Sequence, residues 1–480
     1  MLAGGVFLNF SEEYAQNIKR IDEELCPEKS FDIIKRRLLI GKDETTFYYI
    51  DGFVKDEIMQ KLMQYFIGLK SLPTGKEAAT VFADAHVPYV EVDVTSDPKQ
   101  AIMLVLSGGV AVLGETFGAE AVLIDARTYP VRGVEEPESD RVMRGARDGF
   151  VETLIFNTAL LRRRIRNPKL RVMYKNVGKD SKTDMAIVYI EGKADEKYVR
   201  WLSQKLDAVD TDYLPMGHES LTECLIGKKW YNPFPKVRST ERPDTASAQL
   251  AEGNVLILCD TSPEAMILPT SIFDFLQETG DYYFPPFTGT YLRIVRHVIF
   301  WMTLFLVPLW YLFANHPELT PGWLQFVIPT DTGRIPLVAQ LFLVEFVIDG
   351  LKLASMNTPS MLANSLSVVG GLILGDFAVD IGWLIPEVIL YMAFVAIANF
   401  TQPNYELGYA VKFMRMLLLA VTAIFDLWGF VIGLALIVIL IATNSTVNGK
   451  KSYLYPLLPF NPAALCRLLF RLKKKEKSHF

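Results

Sequence analysis

Cysteine is scarce in this sequence, and the spacing of the few cysteines excludes the sites that they usually form. The 480 residues contain four of them, Cys26, Cys224, Cys259 and Cys466. No two of them stand in the CxxC or CxH spacing of a zinc site, and cysteines this scattered do not indicate a disulfide framework. The sequence therefore predicts neither structure, and it favours a reducing compartment.

Recognisable catalytic motifs are also missing. The sequence has no GxSxG, no HExxH and no phosphate-binding loop that ends in GK followed by Ser or Thr. Its five histidines are widely dispersed, at His86, His218, His297, His316 and His479. Since no nucleophile stands beside a base, we expect no enzymatic activity, no cofactor and no metal site.

Neither sign of charge is in large excess. The 49 lysines and arginines nearly balance the 54 aspartates and glutamates, and the formal net charge is −5. This balance gives no indication of a nucleic-acid partner. The first ten residues, MLAGGVFLNF, are apolar but lack the basic start of a signal peptide. We therefore expect the chain before its first membrane segment to stay in the cytoplasm.

Hydrophobic residues make up 50% of the sequence, but the long apolar runs begin only after about residue 290. This distribution predicts an α/β region plus a polytopic α-helical membrane domain, with two tandem related α/β subdomains followed by a transmembrane helical bundle. The predicted parts are a helical lead-in at 1–45, a first cytoplasmic α/β subdomain at 46–140, a connecting amphipathic helix at 141–170, a second cytoplasmic α/β subdomain with its linker at 171–290, a membrane domain of four to six segments at 291–445, and a basic cytoplasmic tail at 446–480.

An internal repeat predicts the two α/β subdomains. Three pairs of segments occur in the same order, and the members of each pair lie 140–145 residues apart. They are FYYIDGFVKDEIMQKLM from Phe47 with IVYIEGKADEKYVRWLS from Ile187, LSGGVAVLGE from Leu106 with AEGNVLILCD from Ala251, and EAVLIDA from Glu120 with EAMILPT from Glu264. Each copy is typical of a strand, a helix, a variable part, a second helix and a hairpin, so one α/β module is used twice.

The connecting helix ends in a cluster of four arginines, Arg162, Arg163, Arg164 and Arg166. Cations complement the dipole at the C-terminus of a helix. One interpretation is therefore that the arginines cap the end of this helix and form a face exposed to solvent. Four arginines exceed what capping needs, so the alternative is a contact with another subunit or with lipid headgroups. Both interpretations remain open at this point.

Several longer motifs together resemble one protein family. They are RGARDGFVETLIFN at 144–157, ERPD at 241–244, ILCDTSPEAMILP at 257–269 and GDYYFPPFTGTYLRIVR at 280–296. With these motifs the sequence resembles the A-subunit family of spore germinant receptors, and the similarity extends over most of the chain.

The resemblance implies an integral protein of the inner spore membrane with a large cytoplasmic N-terminal region. It also implies assembly into oligomeric ion channels that act when spores germinate. Two further phrases, ILCDTSPE and YLYPLLPFNPAAL, are typical of a branch that amplifies ion release triggered by germinant receptors. The implied partners are further copies of the chain, a small membrane partner protein, germinant-receptor subunits and the lipid bilayer.

The charges that flank the apolar segments predict a topology. The first segment, 298–314, follows Arg293 and Arg296, which places the N-terminal half inside the cell by the positive-inside rule. Lys412 and Arg415 are expected to return to the cytoplasmic side, and the basic C-terminal piece CRLLFRLKKKEK favours the same side. Both termini inside requires an even number of crossings. The remaining apolar segments lie at 336–354, 366–380, 384–400 and 416–444.

Acidic residues interrupt the membrane segments in two pairs with helical spacing. Glu345 and Asp349 have Lys352 nearby, so they either pair with it or line a polar cavity or subunit contact. Asp376 and Asp380 have no basic residue within their own segment. They are candidates for a pore or its mouth, for a salt bridge with another segment or subunit, or for an interfacial position.

Small residues beside these acids predict close helix packing. The candidates are Gly370, Gly371, Gly375, Gly429 and Gly433. The segment 416–444 is too long for one untilted crossing, so Asp426 near its middle allows either a long tilted helix or a tight two-helix turn.

The function that these observations favour is a subunit of an oligomeric, cation-conducting channel of the spore inner membrane that takes part in germination. One alternative is a carrier that binds a small solute among broken helices. Another is a membrane-anchored receptor or scaffold subunit without a pore of its own. The carboxylates in the membrane half count against a mere anchor, because each one costs about 3 kcal/mol in lipid.

Overall fold

The computed structural model describes residues 9–89, 91–127, 145–226, 231–330, 333–357, 377–444, 447 and 453–471. The chain forms two compact units. The sheet unit consists of Met1–Gly227 with Val237–Pro269, and the helix unit consists of Lys228–Lys236 with Thr270–Phe480.

The first half of the sheet unit is an antiparallel sheet covered by helices on both faces. Its strand order is β1-β2-β4-β5-β3. Along β2, Phe47 faces the core beneath α2 and α3, whereas Tyr48 faces the core beneath α1 and α4, as alternation in a strand requires. The elements are α1 (Tyr14–Leu25), a 3₁₀ turn (Pro27–Lys29), β1 (Ile33–Ile40), β2 (Asp43–Ile50), α2 (Asp56–Ile67), α3 (Ala78–His86), β3 (Val92–Thr95), α4 (Pro98–Leu106), β4 (Val110–Gly114) and β5 (Ala121–Ile124).

The second half repeats this topology. Its strand order is β6-β7-β9-β10-β8, and α5 and α8 cover one face of the sheet. The elements are α5 (Leu154–Arg164), β6 (Leu170–Val177), β7 (Thr183–Ile190), α6 (Glu196–Asp207), α7 (His218–Leu225), β8 (Arg238–Thr240), α8 (Pro243–Glu252), β9 (Val255–Cys259) and β10 (Ala265–Leu268).

The repeat seen in the sequence extends to strand register. Phe47 is paired with Val112 across β2 and β4. Ile187, which aligns with Phe47 in the sequence, is paired with Ile257 across β7 and β9. Ile257 is in turn the aligned equivalent of Val112. The prediction of two related α/β subdomains is therefore confirmed.

The expected helical lead-in is wrong for residues 33–40, which form strand β1. This strand pairs with β2 from Ile33 opposite Ile50 to Ile40 opposite Asp43. Gly41, at φ +65°, makes the tight turn between them, and a Cβ there would lie 2.1 Å from the carbonyl oxygen of Lys70. The Lys, Arg and Leu residues of β1 are good helix formers, but pairing at the sheet edge overrides that preference.

A buried ion pair connects the two subdomains within the sheet unit. Arg162 on α5 donates from Nε and Nη2 to the Asp32 carboxylate, at 2.7 and 3.1 Å, and both side chains are almost completely buried. Phe31, beside Asp32, donates its main-chain N–H to Val172 O in β6, at 3.0 Å. The first arginine of the predicted cluster is thus used inside the chain. Removing either charge would leave the other buried without compensation.

The other arginines of the cluster point outward. Arg163, Arg164 and Arg166 are exposed, and Arg164 contacts Asp148 at 2.5 Å. The structure therefore corrects the prediction for Arg162, whose burial removes it from any contact with another subunit or with lipid headgroups. For the three exposed arginines that contact stays a prediction.

The helix unit contains the long apolar helices. Two helices in the described part of the chain, α10 and α14, are long and apolar enough to cross a membrane by length and composition. The elements are a 3₁₀ turn (Ile272–Leu276), α9 (Gly280–Tyr283), α10 (Pro286–Asn315), 3₁₀ turns (Pro317–Leu319 and Gly322–Val327), α11 (Leu337–Asn357), α12 (Ala378–Asp380), α13 (Pro386–Asn399), α14 (Tyr405–Ala442) and α15 (Pro462–Leu469).

Helix α14 is folded back on itself at Asp426. This residue has φ +51° and ψ −131°, which no helix contains. A Cβ at Gly433 would lie 2.6 Å from Leu418 Cδ1, and one at Gly429 would lie 2.1 Å from Val421 O. Residues fifteen apart in a straight helix are separated by about 22 Å, so the chain must reverse. The two glycines lie at the contact between the two halves of this hairpin.

Three reversals of the chain lie at one end of the helix unit. His316, which follows α10, lies 3.4 Å from Asp426 at the tip of the hairpin. Ile385, just before α13, donates its N–H to Gln340 Oε1 near the start of α11, at 3.0 Å. Helices α11 and α13 therefore begin at the same end, where α10 and the first half of α14 finish.

Large apolar side chains lie on the outside of the helix unit. Exposed examples are Trp301 on α10, Phe346 on α11, Leu390 on α13 and Trp428 on α14. Water would not favour so much exposed apolar surface, whereas lipid would. The outer surface therefore has the polarity expected of a membrane-facing one.

Removal of the buried cation between the subdomains should destabilise the sheet unit strongly. We expect Arg162→Met to lower its free energy of unfolding by about 3–5 kcal/mol, because Asp32 would remain buried without a partner. Pulse proteolysis of the full chain across a urea series measures this loss. Arg163→Met, a change at an exposed neighbour, should cost less than about 1 kcal/mol. Equal losses for the two variants would contradict the assigned role of Arg162.

Candidate functional site in the helix unit

A cluster of opposite charges lies among the apolar helices. Glu345 on α11 accepts two hydrogen bonds from Nη2 of Arg415 on α14, both at 2.8 Å. Lys412 Nζ lies 3.3 Å from the same carboxylate. The side chains of Glu345, Lys412 and Arg415 are between 4% and 8% exposed, so this is a buried ion-pair network.

The network extends to two further partners. Asp349, one turn along α11 from Glu345, contacts Lys412 directly, and its side chain is 36% exposed. Arg415 also donates from Nη1 to the Thr303 main-chain oxygen in α10, at 3.1 Å. One set of charges therefore joins α10, α11 and α14.

Helical spacing explains why these side chains meet. Glu345 and Asp349 are four residues apart and share one face of α11, while Lys412 and Arg415 are three apart and share the facing side of α14. In an apolar surrounding a lone carboxylate is very costly, whereas two opposed pairs compensate each other. The pairing therefore fixes which faces of the two helices pack together.

The predicted pairing of Glu345 or Asp349 with Lys352 is wrong. Among the described ion pairs, those of both acids are formed with α14. The ammonium of Lys352 lies instead 5.0 Å from the ring centroid of Phe400 and 5.8 Å from that of Tyr409, in cation–π contacts. The cations of the neighbouring helix reach the carboxylates first because they face them across the helix contact.

The expected cytoplasmic position of Lys412 and Arg415 stays a prediction, but the structure gives both residues partners that their sequence neighbourhood did not indicate. Both residues are buried, at 3% and 5% exposure, and both are occupied by the acids of α11. The positive-inside rule counts exposed charges near the ends of membrane segments. It cannot recognise a cation whose partner lies on another helix.

Of the second acidic pair, the structure describes Asp380. It is exposed at the end of α12, close to the end of the helix unit where α11 begins. Asp376, Gly370, Gly371 and Gly375 lie outside the described residues, so their predicted roles stay predictions.

A second buried charge cluster surrounds Asp281 near the start of α10. Asp281 is 1% exposed and accepts hydrogen bonds from Arg293 Nε at 3.2 Å and from Arg296 Nη1 and Nη2 at 2.9 and 3.0 Å. Arg296 also contacts Glu278. Asp281, Arg293 and Arg296 belong to the motif GDYYFPPFTGTYLRIVR at 280–296. Its two arginines were interpreted as markers of the cytoplasmic side, and the structure assigns them to this internal cluster.

In the sheet unit, His218 forms a cluster that sequence reasoning missed. Its Nδ1 lies 2.7 Å from Ser262 Oγ, and its Nε2 lies 3.3 Å from Glu219 and 3.2 Å from Glu264. Burial alone would lower the pKa of His218, but the bonds to Glu219 and Glu264 outweigh it and raise that pKa to about 9. The resulting imidazolium ties α7 to the hairpin between β9 and β10.

The charged clusters described above do not have the arrangement of a metal site. Within the part of the chain that the structure describes, no group of three or more His, Cys, Asp or Glu side chains could hold a metal ion. In the two clusters of the helix unit, the carboxylates bind arginine and lysine side chains.

Comparison with known proteins identifies relatives along nearly the whole chain. A family model described as Bacillus/Clostridium GerA spore germination protein matches residues 19–479. Stage V sporulation protein AF of Bacillus subtilis (strain 168) is 38% identical over 446 residues, which are 93% of this chain and 90% of that protein. The uncharacterized membrane protein YfkQ of Bacillus subtilis (strain 168) is 28% identical over 422 residues, or 86% of this chain and 81% of that protein.

One solved structure also aligns. It is the crystal structure of the N-terminal domain of the A subunit of the Bacillus megaterium spore germinant receptor GerK3. The alignment has a TM-score of 0.40 and 22% identity, and it covers 54% of this chain and 95% of that one. The family model and the sequence relatives confirm the family resemblance that the motifs indicated.

Neutralising the most buried carboxylate of the helix unit should be costly. We expect Glu345→Gln to lower the free energy of unfolding by about 3 kcal/mol, because Arg415 loses its charged partner in an apolar surrounding. Thermal or denaturant unfolding of the full chain in lipid vesicles measures this change. Asp349→Asn is the matched control and should cost less than about 1 kcal/mol, since solvent screens its pair with Lys412. A greater loss for Asp349→Asn would contradict the burial argument.

The His218 cluster should make the stability of the sheet unit depend on pH. The folded-state pKa of about 9 lies above the ordinary value, so protonated His218 stabilises the fold at low pH. This stabilisation, at most about 3 kcal/mol, is fully present below about pH 6.5 and is lost as the pH rises through about 9. Urea unfolding from pH 6 to pH 10 should show the loss in the wild-type chain and not in His218→Gln. Parallel pH profiles would disprove the contribution.

Proposed function

The chain belongs to the GerA family of spore germination proteins, and we propose that it is a subunit of an oligomeric, cation-conducting channel in the spore inner membrane. During germination this channel amplifies the response to germinant receptors. The expectation that the chain is not an enzyme agrees with the family to which it belongs.

The polarity of the helix unit supports a membrane location. Apolar side chains such as Trp301 and Trp428 lie outside, while Glu345, Lys412 and Arg415 are paired inside. This arrangement is the one that lipid favours, since charges are tolerated there when they face the interior and pair with one another. In the proposed topology of four to six segments, both termini are cytoplasmic and the Asp426 hairpin tip faces the opposite side.

The acids and bases of the helix unit pair with one another inside a single subunit. This observation supports an ion path that lies between subunits. Glu345 and Asp349 are held by Lys412 and Arg415, so these four charges are not free to line an ion path. Of the three carboxylates in the predicted set that the structure describes, Asp380 is the exposed one. Copies of Asp380 arranged around a symmetry axis would form a ring that favours cations at the mouth of a pore.

The proposed partners follow from this arrangement. A pore between subunits requires further copies of the chain, with the lipid bilayer around them. We include germinant-receptor subunits and a small membrane protein among the partners, as the resemblance of the sequence motifs implies. The exposed residues Arg163, Arg164 and Arg166 are candidates for a contact with a neighbouring subunit or with lipid headgroups.

Ion flux separates this proposal from its alternatives. Vesicles that contain the assembled chain and its partner should pass monovalent cations with a rate that does not saturate at millimolar substrate. A carrier would instead show saturable uptake of a small solute, and a receptor or scaffold would show neither. Failure to pass monovalent cations under every partner condition would refute the channel.

Neutralising the acidic pair at the pore mouth should change ion preference. We expect the double variant Asp376→Asn with Asp380→Asn to lower the cation-over-anion permeability ratio about fivefold, equivalent to about 1 kcal/mol of lost attraction. Reversal potentials across a salt gradient measure the ratio. Glu318→Gln removes an exposed acid near the same end of the helix unit and should leave the ratio unchanged. An unaltered ratio in the double variant would remove this pair from the pore.

A further inference from the structure

A histidine joins two reversals of the chain at one end of the helix unit. His316 follows the C-terminus of α10, and Asp426 forms the tip of the α14 hairpin. The Nε2 atom of His316 lies 3.4 Å from Asp426 Oδ1, and its Nδ1 atom lies 3.0 Å from Glu318 Oε1. One imidazole ring therefore stands between two carboxylates. We call His316, Glu318 and Asp426 the latch.

The chain after α10 fixes the position of this ring. His316 donates its main-chain N–H to Leu312 O at 2.9 Å, which completes the last turn of α10, and its own oxygen accepts from Leu319 N at 3.0 Å. The 3₁₀ turn that begins here holds Glu318 two residues from the histidine. The contact with Glu318 is therefore local, whereas the contact with Asp426 joins two separate helices.

The backbone at the hairpin tip has to be held by its surroundings. Asp426 has φ +51°, which costs about 1 kcal/mol or more for a residue other than glycine. In the described part of the chain, the ion pair of its carboxylate is the one with His316. The side chains of Asp426 and His316 are 63% and 31% exposed, so water reaches the contact. The latch can therefore open while the helices around it stay packed.

The surroundings of His316 favour its protonated form. An imidazolium donates from both ring nitrogens and can serve both acids at once, whereas a neutral imidazole has one N–H. A cation also complements the dipole at a helix C-terminus, and the last turn of α10 contains no basic residue. The bond to Glu318 raises the pKa of His316 above its ordinary value, and the contact with Asp426 adds to this effect.

Other charged residues at this end of the helix unit do not pair with His316. Asp380 at the end of α12 and Glu387 in the first turn of α13 are the described acids there, and neither forms an ion pair with the ring. Arg334 lies against the turn at Gly382, to whose oxygen it donates its main-chain N–H at 3.1 Å. Within the described residues, the charge of His316 therefore depends on the two acids of the latch.

We infer that the latch is a pH-sensitive device that ties the tip of the α14 hairpin to the C-terminus of α10 while His316 is protonated. When the proton is lost, the neutral ring keeps its nearer partner, Glu318, and turns a lone pair towards Asp426. A lone pair and a carboxylate repel each other, so the tie to the hairpin tip is released.

The direction of the pH dependence follows from the raised pKa of His316. A group whose pKa is higher in the folded state stabilises its contact below the ordinary value, which is about 6.5 for histidine. The tie is therefore complete below about pH 6.5 and is lost as the pH rises through the higher folded-state value. The consequence for ion flux rests on the proposed channel function, whereas the latch itself does not.

Hydrogen exchange of the full chain in vesicles tests the latch without requiring conduction. After correction for the intrinsic exchange rate at each pH, the protection of amides 423–430 should fall about threefold between about pH 6 and pH 9. An exposed ion pair supports an effect of this size. His316→Gln and Asp426→Asn should each give a flat profile. Asparagine tolerates positive φ, so the hairpin tip keeps its conformation in the second variant.

A control variant separates the latch from a general effect of pH. His218 titrates in the sheet unit with a pKa of about 9, and His218→Gln should leave the profile of amides 423–430 as it is in the wild-type chain. Equal profiles in the wild-type chain and in His316→Gln would overturn the inference. A full threefold fall in Asp426→Asn would also overturn it, because the tie would then not depend on the Asp426 carboxylate.

Flux measured on the same variants distinguishes the two proposals. If the assembled chain conducts, its opening by the partner should depend on pH in the wild-type chain and not in His316→Gln, with ion selectivity unchanged. If no variant conducts while the exchange profile depends on His316, the channel proposal fails and the latch stands. If the chain conducts and the wild-type exchange profile is flat, the latch is refuted and the channel proposal remains.

Discussion

A carboxylate buried among apolar helices must meet a cation, and the helix unit is arranged around this requirement at Glu345. Arg415 compensates it and also binds Thr303 O, so one guanidinium holds α10, α11 and α14 together. Lys412 adds Asp349 to the same network. Because lipid offers no water to solvate an unpaired charge, these pairs restrict the register in which the helices can pack. The reversal of the chain at Asp426 is compatible with that register.

Buried polar contacts also order each of the two units internally. Asp32 and Arg162 join the two subdomains of the sheet unit, so the repeated sheets share a buried charge pair. Within the helix unit, Tyr453 donates to Pro235 O, and Asn232 donates to Leu440 O in the last turns of α14. The same helix carries the cations that neutralise Glu345 and Asp349.

Particular residues show how far the sequence could be used. The repeat that aligns Phe47 with Ile187 predicted two α/β subdomains correctly, down to their equivalent pairing with Val112 and Ile257. Residues 33–40 were expected to be helical, because good helix formers at a sheet edge have no local signal that reveals their strand partner. Lys352 was chosen as the partner of the acids because it is near in sequence. The true partners, Lys412 and Arg415, lie more than sixty residues away on another helix.

The sequence by itself determined the family, the duplicated α/β region, the apolar half of the chain and the positions of its acids. These features can be recognised from local patterns such as motif order, strand alternation, apolar runs and helical spacing. Only the tertiary structure decided that Arg162 is buried against Asp32, that α14 reverses at Asp426, and that Tyr453 bonds to both Pro235 and Ile272. The physical reason is that charge compensation and hydrogen bonding depend on which distant segments meet in space, and no spacing along the chain records that meeting.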